Sequence, residues 1–376
     1  MNDYYNKEIE DLFYLLKCAI IEKAPESNRV NDMDLQSIYS IASYHSLASM
    51  IAFALEKTIS LPYEYHQAKT KALRKLALFD IERKKFFDRF NEERIWYLPL
   101  KGILLKDYYP KYGMREMSDN DILCDSTRMS DIQRIAESLG YIKEPDANPI
   151  HDCYLKSLIA FEFHKALFSE KEEKALADYY SEIKKKLYQN DTSFEYSFTP
   201  EDCYIYLIAH EYKHYNYGGT GLRSLVDIYV YLRKWEDKLD REYIDSELNK
   251  LKLTEFETLN QTLSIKVLEG EELNAEEQKV FYYIINSGTH GTNENLKNNQ
   301  ISAKLSGDDS NSSKRRYIFG RMFLSGDDLK DSYPFFYQHK AFLPALYVFR
   351  FSKALFKKPK AVLHEYKRIK TFKYDR

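Results

Sequence analysis

The sequence predicts an α+β fold, in which a small mixed β-sheet follows one helical region and precedes another. Three observations predict it. Apolar residues recur at helical spacing through residues 1–93, short apolar runs alternate with helical segments over residues 94–170, and helical spacing returns over residues 171–376. We therefore divide the chain into an N-terminal helical region, an α/β core and a C-terminal helical region.

The N-terminal region is predicted to contain three helices. The first has a buried face formed by Ile9, Leu12, Phe13, Leu16, Ala19 and Ile20, which recur at helical spacing. Residues 34–57 repeat this pattern. The third helix begins after Pro62 and continues to Arg94, and its many lysines and arginines are expected on the outer face.

The central region has a different pattern. Its apolar and aromatic runs are typical of buried strands, and the helical segments between them indicate a small α/β unit. The predicted strands cover residues 95–100, 119–124, 153–156 and 160–168, and the predicted helices cover 103–109 and 130–139.

The C-terminal region is predicted to be helical from residue 170 onward. One helix should start at Thr199, with the threonine as N-cap and Pro200 in the first position. The segment from His290 to Ser313 is rich in Gly, Asn, Ser and Asp, which predicts a mobile loop. The last segment, 350–376, is basic and predicts a solvated amphipathic helix whose apolar face is compatible with packing on the body. Binding to RNA, to an acidic protein or to neither is left open.

The composition sets limits on the class of protein. A chain of 376 residues with 44% hydrophobic residues can bury a sizeable core, and a net charge of −2 argues against nucleic-acid or membrane binding by the whole chain. The 4 cysteines form no CxxC pair, which favours free thiols in a reducing compartment. Without a signal-peptide pattern or an apolar stretch of spanning length, we expect a cytoplasmic protein with no membrane span.

Two carboxylates stand out in the central region. On a strand, Asp119 and Asp121 point to the same face, where their like charges repel. A divalent cation reverses that cost, and oxygen ligands suit Mg²⁺ or Mn²⁺. Asn120, between them, faces the other way, and a buried amide there requires hydrogen-bond partners.

The surrounding residues favour a phosphate-binding site. Lys101 and Gly102 lie where a strand runs into a helix, a junction that offers backbone N–H groups to a phosphate. Arg115 adds a planar fork of donors. Glu162 and His164 share one face of a later strand, and Glu162 supplies the third carboxylate that two-metal phosphoryl transfer needs.

Together these motifs resemble the bacterial uncharacterised nucleotidyltransferase family, part of the polymerase-β-like nucleotidyltransferase superfamily. The resemblance rests on Leu100-Lys101-Gly102, Tyr109-Pro110, Arg115, Asp119-Asn120-Asp121-Ile122-Leu123 and Phe161-Glu162-Phe163-His164. It is strongest over residues 95–168.

The resemblance implies a function and roles for individual residues. The function is transfer of a nucleoside monophosphate from a nucleoside triphosphate (NTP), by a two-metal mechanism, to an unidentified hydroxyl of a small molecule, RNA or protein. A regulatory protein that binds nucleotide without catalysis is the alternative. Asp119, Asp121 and Glu162 would be the catalytic residues and metal ligands. The implied nucleotide contacts are Lys101, Gly102, Arg115, Ser118 and His164, the last being either a ligand contact or a core histidine.

A third interpretation comes from His210-Glu211-Tyr212-Lys213-His214, which matches the HExxH motif of zinc hydrolases. On a helix the two histidines lie one turn apart, and Glu211 would be the base. A zinc metallohydrolase also needs a third ligand, for which Asp227 and Glu236 are candidates.

Arg223 and Asp227 are spaced to share one face of a helix that follows a glycine-rich turn. The sequence leaves two interpretations open. The two residues either support the active site or form an ordinary i,i+4 pair at the surface.

Overall fold

The computed structural model describes residues 3–145, 149–171, 173–305, 314, 319, 323–324 and 326–357. The chain forms two compact units, Met1–Gly291 and Thr292–Arg376. The boundaries predicted near residues 93 and 170 both fall inside the first unit, because helices from both flanking regions pack around the sheet. The fold is α+β, as predicted.

The first unit begins with helices and continues into the sheet region. The helices before the sheet are α1 (Asp3–Ile20), α2 (Ser27–Asn31), α3 (Leu35–Tyr44), α4 (Ala48–Leu55) and α5 (Tyr63–Glu92). The sheet region contains β1 (Tyr97–Pro99), α6 (Gly102–Leu105), β2 (Asn120–Cys124), α7 (Met129–Ser138), β3 (Ile142–Lys143), β4 (His151–Lys156) and β5 (Ile159–His164). Short 3₁₀ helices cover Lys106–Tyr108 and Ser126–Arg128.

The rest of the first unit is mainly helical. It contains α8 (Lys174–Tyr179), β6 (Tyr188–Gln189), β7 (Tyr196–Ser197), α9 (Pro200–Tyr217), α10 (Leu222–Trp235), α11 (Arg241–Leu251), α12 (Thr254–Glu269) and α13 (Ala275–Ser287), with 3₁₀ helices at Ile183–Lys186 and Glu236–Lys238. The small β6–β7 hairpin corrects the prediction of helix throughout this region. Thr199 caps α9 as predicted, since its Oγ1 accepts a hydrogen bond of 3.1 Å from the Asp202 backbone N–H.

Among the described residues, five strands form the main sheet in the order β1-β2-β5-β4-β3. The β2–β5 pair is parallel and the other pairs are antiparallel, so the sheet is mixed. Successive side chains alternate between the two faces. On one face, Phe161 and Phe163 contact Phe86 of α5, with ring centroids 4.5 and 5.1 Å apart. This apolar face therefore fixes which side chains project from the opposite face.

Helix α5 differs from the prediction that its basic residues are all on the outside. Arg83 is buried, and its Nη1 donates a 2.6 Å hydrogen bond to Oδ1 of Asn120, while the Asn120 amide donates to the carbonyl of Ala160 at 3.1 Å. The polar residue between the two aspartates thus has the partners that its burial requires. The prediction is wrong for Arg83 because one lysine- and arginine-rich helix can contribute to both a surface and a core.

The second unit contains α14 (Asn293–Leu305), α15 (Gly326–Ser332), α16 (Pro334–Gln338) and α17 (Leu343–Lys357), with a 3₁₀ helix at Lys340–Phe342. The prediction of a mobile loop over 290–313 is wrong for Asn293–Leu305, which forms helix α14. Burial of Ile301 there outweighs the weak helix propensity of asparagine. Residues 306–313, and residues 358–376 of the predicted basic tail, lie outside the described residues. No described helix combines the length and apolar character needed to cross a bilayer.

Candidate functional site

The predicted acidic residues meet where strands β2 and β5 lie side by side. The parallel register places Asp121 opposite Glu162 and Leu123 opposite His164. Paired residues on neighbouring strands point to the same face, about 4.8 Å apart. Asp119 lies one residue before β2, so extended backbone turns it toward that face as well. The three carboxylates therefore converge, as the spacing of the two motifs predicts.

Two histidines adjoin these carboxylates. His164 Nε2 lies 2.9 Å from Oδ1 of Asp121 and 3.6 Å from Oε2 of Glu162. His151, on β4, has its Nε2 3.6 Å from the same Glu162 oxygen. Sequence reasoning missed His151, because only the antiparallel register of β4 with β5 places it opposite His164.

The carboxylates have unequal affinities for protons. Burial raises the pKa of Glu162 to about 7, and the charges of Asp121 and Asp119 add to the shift. Burial and the Asp121 charge also raise the pKa of Asp119. Burial acts on Asp121 in the same direction, but Lys101 and the hydrogen bond with His164 outweigh it and hold the Asp121 pKa well below its usual value. The protein thus keeps Asp121 ionised, whereas burial and the neighbouring negative charges favour the protonated forms of Asp119 and Glu162.

The Lys101-Gly102 turn approaches these acids directly. Lys101 Nζ lies 3.3 Å from Oδ2 of Asp121. The backbone of Lys101 has φ 43°, an unfavourable value for a residue with a side chain. A Cβ on Gly102 would lie 2.7 Å from Nη1 of Arg115, so the close approach requires glycine.

Arg115 has a different principal role from the one that the resemblance implies. Its Nε and Nη2 donate to the two carboxylate oxygens of Asp227, both at 2.8 Å, and the Tyr109 hydroxyl donates to the same carboxylate at 2.6 Å. Arg115 and Asp227 are both buried. The guanidinium therefore holds α10 beside the site, and Nη1 is the part of the fork that faces Gly102.

Arg223 is not paired with Asp227 in an i,i+4 bridge at the surface. Its Nη1 donates to the backbone carbonyl of Glu116 at 3.0 Å, and the side chain lines the same cavity as Asp119 and Asp121. Burial lowers the pKa of Arg223. Of the two interpretations left open by the sequence, support of the site fits both residues.

Lys75 of α5 is a further basic residue at the site. Its Nζ donates to the backbone carbonyl of Ser118 at 2.9 Å, immediately before Asp119. Burial lowers the Lys75 pKa, and the charge of Asp119 opposes this shift. The run of basic residues on α5 is the signal in the sequence for Lys75, but helical spacing alone places these residues on the outer face.

Two cavities adjoin the carboxylates. The first has a volume of about 160 Å³ and is lined by Lys101, Gly102, Ser118, Asp119, Asp121 and Arg223, among others. The second has a volume of about 430 Å³ and is lined by His151, Glu162, His164, Tyr206 and Lys213, among others. Lys101, His210 and His214 border both cavities. The acidic cluster thus has two open sides of different composition.

The HExxH motif lies on α9, as predicted, and its histidines border both cavities. Their Nε2 atoms are 2.9 Å apart. Of the third ligands considered, Asp227 is bound by Arg115, and the Glu236 side chain lies outside the described residues. Within the described part of the chain, the group of three side chains with metal-ligand geometry is His151, Glu162 and His164. Among the side chains that the structure describes, this motif therefore lacks a third ligand for a zinc-hydrolase site.

Comparison with known families agrees with this arrangement. A family model described as "Uncharacterised nucleotidyltransferase" matches residues 31–266, a span that includes the sheet, the acidic cluster and helices α9 and α10. No curated protein and no solved structure matches the chain. The family supports a nucleotidyltransferase kind of function. Since the match covers more than half of the sequence, the chain belongs to the uncharacterised nucleotidyltransferase family.

Proposed function

We propose that the protein transfers a nucleoside monophosphate from an NTP to a hydroxyl acceptor, with Asp119, Asp121 and Glu162 as the catalytic carboxylates. The observation that carries this proposal is the parallel β2–β5 register, which sets Asp121 directly beside Glu162. Two strands far apart in sequence thereby supply one cluster of oxygen ligands.

The residues fit a divalent metal centre. Three carboxylates share one partly buried face, and burial together with the neighbouring negative charges raises the pKa values of Asp119 and Glu162. Such oxygen donors suit Mg²⁺ or Mn²⁺. When bound, the metal would supply charge stabilisation and orientation for the phosphates.

The smaller cavity suits the triphosphate. Lys101, Arg223 and Lys75 place positive charge near the Asp119 end of the cluster. Gly102 and Ser118 form part of the same wall, and Gly102 allows close approach of a phosphate to the backbone. Arg115 contributes chiefly by holding α10 through Asp227, with Nη1 facing Gly102 and the cavity.

The larger cavity suits the acceptor, because Glu162 lines it, whereas Asp119 and Asp121 line the smaller cavity. Glu162 is therefore placed to accept the proton of the acceptor hydroxyl. The acceptor oxygen forms a bond to the α-phosphorus as the bond between that phosphorus and the bridging oxygen breaks. Pyrophosphate leaves with the bridging oxygen, and positive side chains stabilise its charge.

The test is incubation of the purified protein with each α-³²P-labelled NTP, Mg²⁺ and cell extract as the source of acceptors. We expect label on an acceptor with the native chain and with the control Asp245→Asn, an exposed position on α11, but not with Asp121→Asn. Equal labelling with Asp121→Asn would contradict the proposal. Triphosphate binding without transfer to any acceptor class would instead favour the nucleotide-binding regulator.

A further inference from the structure

The side chains around Glu162 include nitrogen donors as well as carboxylates. His151 from β4 and His164 from β5 direct their Nε2 atoms toward the same Glu162 oxygen. Oδ1 of Asp121 lies beside His164, while its other oxygen faces Lys101. Three of these side chains, His151, Glu162 and His164, form one group of possible ligands, and Asp121 adjoins that group through His164.

The separations match those between ligands of one metal ion. With metal–ligand bonds of about 2.1 Å, neighbouring ligands lie about 3.0 Å apart in octahedral geometry and about 3.4 Å apart in tetrahedral geometry. The observed separations are 2.9 Å from His164 Nε2 to Asp121 Oδ1, 3.6 Å from His164 Nε2 to Glu162 Oε2, and 3.6 Å from His151 Nε2 to the same oxygen. The ligand atoms of His151, Glu162 and His164 all lie within 4.8 Å of one another. Small side-chain adjustments would therefore complete a coordination shell.

We propose that His151, Glu162 and His164, with Asp121 as a shared ligand, form a site selective for a first-row transition-metal ion over Mg²⁺. The inference rests on the proposed function to the extent that Asp121 and Glu162 serve both. It adds a metal class and two ligands that an all-carboxylate site would lack.

The donor set determines this selectivity. Mg²⁺ prefers oxygen ligands in near-ideal octahedral geometry, whereas imidazole nitrogen suits the later first-row ions. A site with two imidazoles and two carboxylates accepts ions from Mn²⁺ to Zn²⁺, with affinity rising toward the later members of the series. The two histidines are thus the residues that decide which ion binds.

The surroundings of the histidines predict an exchangeable ion. Metal-binding histidines usually donate their second ring N–H to a carbonyl or carboxylate, and loss of that partner costs about 10–100-fold in metal affinity. Nδ1 of His151 and Nδ1 of His164 are buried and have no hydrogen-bond partner among the residues that the structure describes. Titration of the metal-stripped protein therefore tests the site better than metal analysis after purification.

The experiment uses Co²⁺ as probe, because its visible absorption reports both binding and coordination by the protein. The chain is stripped with a chelator, dialysed and titrated with Co²⁺, and the bound Co²⁺ is then displaced with Mg²⁺ or Zn²⁺. We expect one Co²⁺ site that Zn²⁺ displaces at near-equal concentration and Mg²⁺ only in large excess. His151→Ala and His164→Ala should each weaken Co²⁺ binding by about tenfold or more, by analogy with the cost of losing a supporting partner.

Three further variants make the result decisive. His66→Ala, at an exposed position on α5, is the histidine control and should bind Co²⁺ like the native chain. His210→Ala and His214→Ala test the HExxH pair, and a loss of Co²⁺ binding confined to them would overturn the proposal. His151 is only partly buried, so His151→Ala carries the test if the buried His164→Ala variant does not fold.

Failure of this inference and failure of the proposed function give different results. Unchanged Co²⁺ affinity in both His151→Ala and His164→Ala, or displacement of Co²⁺ by equimolar Mg²⁺, would reject the transition-metal site whatever the transfer activity. Absence of nucleotide transfer with Co²⁺ binding that depends on His151 and His164 would retain the metal site and reject the transferase proposal.

Discussion

Asp121 and Asp227 are both buried carboxylates of the first unit, with 7% and 5% exposure, but their surroundings differ. Asp227 is matched by Arg115 through two hydrogen bonds of 2.8 Å and by the Tyr109 hydroxyl. Asp121 has a lysine at 3.3 Å and a histidine, and it lies beside Glu162. A carboxylate that stabilises the fold is neutralised within the protein, whereas this acidic cluster retains negative charge that an added cation can neutralise.

The largest effect that tests this comparison is expected at Arg115. Arg115→Ala should lower the free energy of unfolding by about 3–5 kcal/mol, because it leaves the charge of Asp227 buried without a counter-charge, with the Tyr109 hydroxyl as its remaining partner. Urea unfolding measures the change. The double variant Arg115→Met with Asp227→Leu should recover most of the lost stability. A loss below about 1 kcal/mol in Arg115→Ala would show that Asp227 does not depend on this pair.

Asp121→Asn should have the opposite effect, a large loss of nucleotide transfer and a smaller loss of stability. We expect nucleotide transfer to fall by about 10²–10³-fold, since removal of one charge-stabilising group from a reaction centre typically costs this much. Stability should fall less than in Arg115→Ala, because the variant also removes repulsion with Asp119 and Glu162. Pyrophosphate release and urea unfolding measure the two effects. A variant that unfolds readily but retains activity would reverse the roles assigned to the two carboxylates.

Gly102→Ala tests the contact between the Arg115–Asp227 pair and the turn that lies beside the acidic cluster. The added methyl would lie 2.7 Å from Nη1 of Arg115, which Asp227 holds in place. Overpacking of this kind costs about 1–3 kcal/mol in stability, and we expect weaker triphosphate binding as well. Gly326→Ala is the control, because a methyl there meets no atom within 4 Å. Equal triphosphate affinity in the Gly102→Ala variant and the native chain would separate the turn from nucleotide binding.

The smallest effect concerns pH and Glu162. Its folded-state pKa of about 7 exceeds the ordinary value of 4.5, so the folded chain binds the proton more tightly than the unfolded chain. Stability from this group is fully present below pH 4.5 and falls as pH rises toward 7. Glu162→Gln should therefore gain stability relative to the native chain between pH 5 and pH 7.5, by on the order of 1 kcal/mol. Thermal unfolding at both pH values without added metal tests this, and a difference independent of pH would contradict it.

Local patterns in the sequence predict much of the central region. Alternation of side chains on a strand places Asp119 with Asp121 and Glu162 with His164. The phenylalanines on either side of Glu162 predict a buried opposite face, which the structure confirms. The Thr199-Pro200 start of α9 is likewise determined by its own residues. These features depend on backbone geometry over a few residues, which neighbouring positions determine.

Only the tertiary structure decides which local patterns meet. The β2–β5 register joins Asp121 to Glu162, the β4–β5 register adds His151, and chain folding pairs Arg115 with Asp227, 112 residues away. Helical spacing cannot distinguish a buried arginine such as Arg83 from a solvated one, because burial depends on what packs against the helix. The sequence by itself therefore determines the chemical groups and the face of each strand, whereas long-range packing decides their partners and so separates the ion pair that stabilises the fold from the acidic cluster.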